Sequence, residues 1–210
     1  MIAKEESDLR ARQVLKDKFP LLSEWRARQF YSVKFIDFHL HGTSDRIVVL
    51  DSDVLCFDRP TELIDGLNAL ESPLLWHIDD KSYYLAPTKV LKACTNVEVI
   101  ERVNTGFLLT KRWQIADLQY FENILQKLQD HSLPIFHYWA EQTMYSISAN
   151  RHEYATAFSD KYSVYFGKTL QKSTIRHFAG VPNLRPRFYT EGVPTLFSQI
   201  NQTRELLMPD

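Results

Sequence analysis

Residues 46–57 read RIVVLDSDVLCF. Ile47 to Leu50 are four consecutive apolar residues, the pattern of a strand buried on both faces. Asp51 and Asp53 follow at once. An extended strand alternates its side chains, so residues i and i+2 point the same way. Two carboxylates therefore converge just beyond the carboxyl end of a buried strand, which is where open α/β sheets hold ligands. Carboxylates that close repel each other unless a cation lies between them, and hard oxygen donors suit Mg²⁺ or Mn²⁺. The competing reading is a turn whose aspartates accept hydrogen bonds from backbone amides.

Working outward, residues 7–18 (SDLRARQVLKDK) predict a helix capped by Ser7 or Asp8 and broken by Pro20. Residues 22–40 predict a longer helix with Trp25, Phe30, Val33, Ile36 and Leu40 near one face, stopped by Gly42. After the Asp-Ser-Asp stretch, Pro60 opens the helix TELIDGLNAL. PLLWHI (73–78) and RVNTGFLLT (102–110) predict further interior strands, with PTKVLKACT as a short helix between them. Residues 113–129 carry Ile115, Leu118, Phe121, Ile124, Leu125 and Leu128 at helical spacing. Another helix is expected over 138–149. The short aromatic strands SVYF and STIRHFA, a Pro/Arg loop and a last helix near 195–207 complete the chain. Helices alternating with buried strands predict an α/β layer architecture with a mixed sheet flanked by helices.

The 210 residues fit a single domain with one large core. A hydrophobic share of 44% excludes disorder for the bulk of the chain, and a net charge of -1 argues against a nucleic-acid partner bound by counterion release. No apolar run approaches the roughly 18 residues a membrane span needs. The start, MIAKEESDLR, lacks the pattern of a secretory leader. Cys56 and Cys94 build no disulfide scaffold and fit a reducing compartment, so a cytoplasmic location is expected. Only six glycines occur, and none form a phosphate-cradling motif. Any nucleotide would be held another way, a metal being the obvious substitute.

Three further features carry chemistry. In VNTGFLL (103–109), Gly106 interrupts a strong strand, which marks a bulge or a close approach of ligand to backbone. Asn104 carries donors and an acceptor suited to a hydroxyl. Glu141-Gln142 stands at the start of a predicted helix, where an acidic residue is an ordinary dipole partner. His177 closes the apolar strand of IRHFAG (175–180). The other histidines receive no role.

Taken in order, VVLDSDVLCFDRPTELID, VNTGFLLTKRW, AEQTMYSI and IRHFAG resemble the GT-A glycosyltransferases, most nearly glycosyltransferase family 8. That family shows an apolar strand ending in D-x-D, then N-x-G, then D-Q, then H-x-x-G with K-P-W. The likeness spans roughly residues 25 to 190 and implies a GT-A-like fold with a catalytic core over 43–190. A helical segment over 1–42 and a C-terminal helix over 191–210 would flank it. By position, the resemblance implies that Asp51, Asp53 and His177 hold Mn²⁺ (or Mg²⁺), with Asp51 also near the ribose. Asn104 and Gly106 would lie along the sugar, with Gly180 in the last motif. Gln142 would stand at the reacting face and Glu141 on the sugar hydroxyls. Arg185 would replace the family's lysine on the diphosphate. The implied partners are a nucleoside-diphosphate sugar, UDP-sugar foremost, and a sugar or lipid-linked acceptor, the latter at the membrane surface.

The chain departs from this pattern in two places. Residues 181–184 lengthen the loop after Gly180, and Arg187 stands in place of the tryptophan. Helices are also expected before Asp51, where the family places its first base-binding strands. That leads to the expectation of an N-terminally truncated member that holds its base weakly. A non-catalytic module of the same fold, and a phosphatase of the haloacid-dehalogenase type with Asp51 as nucleophile, are the alternatives.

Overall fold

The computed structural model describes residues 2–164, 173–179 and 185–207, with side chains through residue 201. Three helices come first: α1 (Lys4–Leu15), α2 (Pro20–Arg28) and α3 (Ser32–His41). The strands β1 (Arg46–Leu50) and β2 (Val54–Cys56) follow, then α4 (Thr61–Asn68), β3 (Pro73–Ile78), α5 (Thr88–Thr95) and β4 (Val103–Lys111). The second half holds α6 (Ile115–Asp130), α7 (Ala140–Ile147), β5 (Tyr154–Ala157), β6 (Tyr162–Val164) and β7 (Ile175–His177). It ends on α8 (Arg185–Arg187), a π-turn at Phe188–Gly192, and α9 (Val193–Leu207).

The strands form one mixed sheet in the order β1-β4-β3-β6-β7-β2, with β5 also pairing β3. β4 runs antiparallel to both β1 and β3, while β3, β6 and β7 run parallel to one another. A helical layer covers one face. There Trp25, Phe35, Leu118, Phe121, Leu125 and Tyr145 pack with Val49, Leu74 and Leu108 into the main core. The other face carries a smaller cluster, Leu75, Phe107, Leu109, Phe158, Tyr162 and Ile175, with Leu63 of α4 against it. No helix among the described residues is long and apolar enough to cross a membrane.

Four sequence expectations are corrected. The apolar run Ile47–Leu50 is not buried on both faces: β1 ends the sheet order, and Val48 and Leu50 are 36% and 53% exposed. The helix over 22–40 is two helices. Gln29 leaves helical geometry, and its side chain accepts from the Tyr31 amide. The Ser32 hydroxyl donates to the carbonyls of Trp25 and Gln29. These local bonds replace the helical ones and turn the chain, leaving Phe30 81% exposed. Ile115 also points outward at 56% exposure, because α6 begins there. Finally, α1 starts at Lys4 rather than at a Ser7 or Asp8 cap.

Those two residues serve packing instead. The Arg26 guanidinium grips Asp37 with Nε and Nη2 and Asp8 with Nη1, tying the first three helices together. The amides of Leu21 and Leu22, which have no intrahelical acceptor at the start of α2, donate to the two carboxylate oxygens of Glu122 on α6. The helical segment is thereby fixed on the sheet, and α3 lies over the end of β1.

Candidate metal centre

The carboxyl end of β1 is where the chain turns. The Asp51 amide donates to the Gly106 carbonyl at 2.8 Å, one step past the β1–β4 ladder. The chain then bends, with Val54 N–H donating to the Asp51 carbonyl at 3.3 Å. β2 next pairs with β7, Val54 lying opposite His177, and the Phe178 amide donates to the Asp53 carbonyl at 2.9 Å. Asp51 is pinned to β4 and Asp53 to β7. The two carboxylates therefore meet through a turn between two sheet partners, and not through the alternation of one extended strand.

Their third neighbour is His177. Its Nε2 lies 3.2 Å from Asp53 Oδ1 and 3.7 Å from Asp51 Oδ2. One donor atom from each of the three residues falls within 4.8 Å of the others. Gly106 explains how the ring fits. A Cβ at this position would overlap the His177 imidazole, so the glycine leaves room for the histidine rather than for a ligand. The Asn104 carbonyl oxygen stands 2.9 Å from Nδ1 on the ring's far side. Burial pushes the Asp53 carboxyl up, but the hydrogen bond and charge of His177 outweigh it, with help from Arg185, and hold it below the usual range.

Lys34, on α3, joins this cluster and escaped the sequence reading. Its Nζ donates to Asp51 Oδ1 at 2.9 Å and to the Thr105 carbonyl at 3.1 Å. It also stands 3.6 Å from Glu141 Oε1. Burial works against its charge, yet Glu141 and Asp51 raise its pKa. Nothing in sequence separates this lysine from an ordinary surface one; only the break after α2 aims it inward. Glu141 is buried, with Oε2 accepting from the Thr105 hydroxyl at 2.8 Å. Its Oε1 makes no hydrogen bond. Burial pushes its carboxyl up to about 7, opposed by the Lys34 charge and the Thr105 hydrogen bond and assisted by Asp51.

The remaining expected residues lie around this group. Asn104 is buried beside His177. Gln142 follows Glu141 but turns its amide to the Tyr83 carbonyl at 3.4 Å, with no hydrogen bond to the cluster. Arg185 opens α8 and is exposed, its positive charge reaching Asp53. Gly180 lies outside the described residues.

No protein-family model matches this sequence, and no curated protein does either. Among solved structures, the apo crystal structure of mouse xyloside xylosyltransferase 1 superposes with a TM-score of 0.52 at 12% identity. The match covers 85% of this chain and 74% of that one. The fold is glycosyltransferase-like. At that identity the likeness speaks for architecture alone.

The atoms of the centre suit a hard divalent cation. Two carboxylates and one imidazole converge, and Mn²⁺ accepts such a mixed oxygen and nitrogen set. Lys34 takes Oδ1 of Asp51, while Oδ2 faces His177. Lys34 and Arg185 on its flanks balance part of the carboxylate charge.

Proposed function

We propose that this protein is a metal-dependent glycosyltransferase that moves a sugar from a nucleoside-diphosphate sugar to an acceptor. The observation that carries this reading is the convergence of Asp51, Asp53 and His177 within a glycosyltransferase-like fold. Mn²⁺, or Mg²⁺, held there supplies positive charge for the diphosphate that leaves as the glycosyl bond breaks. Asp51, Asp53 and His177 would hold it. Arg185, close enough for its charge to reach Asp53, offers a fork of donors to the same diphosphate.

Glu141 and Lys34 lie beside the candidate metal-holding atoms, where they would serve the hydroxyls of the donor sugar. A carboxyl near pH 7 in its titration accepts from one hydroxyl or donates to another. Gly106 seats His177, and Gln142 borders the reacting face from α7. UDP-sugars are the first donors to examine. A xylosyl donor belongs among them because the structural neighbour is a xylosyltransferase. The acceptor is a sugar or a lipid-linked sugar, met in the cytoplasm or at the membrane surface.

The test is release of nucleoside diphosphate from a panel of nucleotide sugars with Mn²⁺, against a chelator control. Release from at least one donor is expected, abolished by chelator and reduced at least a hundredfold in Asp53→Asn and His177→Ala. No release from any donor, or undiminished release in both variants, overturns the reading.

A further inference from the structure

Asn104 stands on β4 between Asp79, just beyond the end of β3, and His177 on β7. All three are buried. Asp79 Oδ1 accepts from the Asp80 amide at 2.9 Å, and Oδ2 accepts from Asn104 Nδ2 at 2.7 Å. A carboxylate oxygen attracts the NH₂ end of an amide, so the Asn104 oxygen must face the other way. There it meets the Gly106 amide at 2.9 Å, a backbone donor that fixes the same orientation independently. The same oxygen lies 2.9 Å from His177 Nδ1.

The consequence for the imidazole follows from donor and acceptor counting. A carbonyl oxygen only accepts, so a hydrogen bond to it needs a proton on Nδ1. The charged ring carries a proton on both nitrogens and donates Nε2–H to Asp53; in the neutral ring Nε2 is left with its lone pair, and it is this atom that faces Asp51 and Asp53. From sequence alone, Asn104 is suited to a hydroxyl. Its oxygen is instead already engaged by two groups of the protein, and its nitrogen by a third.

We infer that Asn104, anchored by Asp79, is a positioning residue that holds His177 as the Nδ1–H tautomer and so keeps Nε2 open as the metal-binding atom. This rests on the reading of Asp51, Asp53 and His177 as a metal centre, but its first readout needs no metal. Outer partners of metal-bound histidines typically contribute about ten- to a hundredfold in metal affinity. Without Asn104, the carboxylates on the Nε2 side draw the ring proton to that nitrogen, and a cation must first displace it.

The experiment is a long-range ¹H–¹⁵N correlation spectrum of the His177 ring in metal-free protein, at a pH where the ring is neutral. Mn²⁺ titration by calorimetry runs alongside it. The wild type should show Nδ1–H, and Asn104→Leu should show Nε2–H with Mn²⁺ affinity about ten- to a hundredfold lower. Exchanging the pair, Asn104→Asp together with Asp79→Asn, keeps an acceptor on Nδ1. That double variant should restore Nδ1–H and Mn²⁺ binding. It also decides the matter if Asn104→Leu does not fold, since loss of Nδ1–H in the exchanged pair overturns the inference. So does a folded Asn104→Leu protein with the wild-type tautomer, or a wild type with Nε2–H. A wild type that shows Nδ1–H but binds no Mn²⁺ removes the metal centre and leaves the positioning role standing.

Discussion

Glu141 and Lys34 share one buried corner of the site, and their surroundings shift both. The Lys34 ammonium is shared by Asp51 and Glu141, so one buried cation answers two carboxylates. The shortfall falls on Glu141, whose pKa rises from 4.5 to about 7 because burial outweighs what Lys34 and Thr105 return. A carboxyl with a raised native pKa keeps its proton in the folded state while the unfolded chain has already lost it. Folding stability therefore falls as pH rises from 4.5 to about 7 and is level beyond that. The span corresponds to about 3 kcal/mol, at 1.36 kcal/mol per unit. Urea unfolding of Glu141→Gln at a series of pH values should show this slope flattened. An unchanged slope would place the proton elsewhere. Of this pair the sequence pointed only to Glu141, and that through the family resemblance, since an acidic residue in a first helical turn is ordinary by itself. Lys34 was hidden because a lysine in an amphipathic helix looks like a solvated one until tertiary contacts aim it.

At the level of elements, periodic segments were readable and so were β6 and β7, while edge position and the short strands β2 and β5 were not. α6 repeats Leu118, Phe121, Leu125 and Leu128 at helical spacing, and all four are buried. β3 and β4 read as interior strands and are interior. The run Ile47–Leu50 looked the same, yet β1 ends the sheet order, because an apolar run reports hydrophobicity and not the number of neighbours. β2 and β5, three and four residues long, offer too little pattern to recognise. Gly106 was noticed, but the reason for it was not: β7 brings the His177 ring onto the β4 backbone. That gives the position a measurable demand. Gly106→Ala should lower stability by about 1–3 kcal/mol through overpacking. It should weaken Mn²⁺ binding as well, since the ring that must move carries Nε2. Chemical denaturation and calorimetry read the two effects. A variant that keeps both values would mean the β4–β7 contact yields at no cost.

Over the whole molecule, the centre is assembled from parts far apart in the chain. The aspartates come from the β1–β2 turn, the imidazole from β7, the ammonium from α3 and the buried carboxyl from α7. Sequence order suggested the first two as partners only through resemblance, since no local pattern joins positions 51 and 177. Because β7 is held in the sheet by β6 and β2, a ligand that bridges Asp51, Asp53 and His177 stabilises the joined fold and not one loop. Linkage gives the size: a ligand at a hundred times its dissociation constant adds about 2.7 kcal/mol. For a chain of this length that corresponds to roughly 5–10 °C in midpoint. Thermal unfolding with and without Mn²⁺ should show an upward shift of that order in the wild type. In Asp53→Asn the shift should vanish, because the amide presents one neutral oxygen where a carboxylate faced His177. Asp53 also pins β7 through its main-chain carbonyl, which the substitution leaves in place. The metal-free variant should therefore still fold, and the comparison isolates the side chain. An equal shift in both proteins would move the ion to another site, and no shift in either would remove it from the molecule.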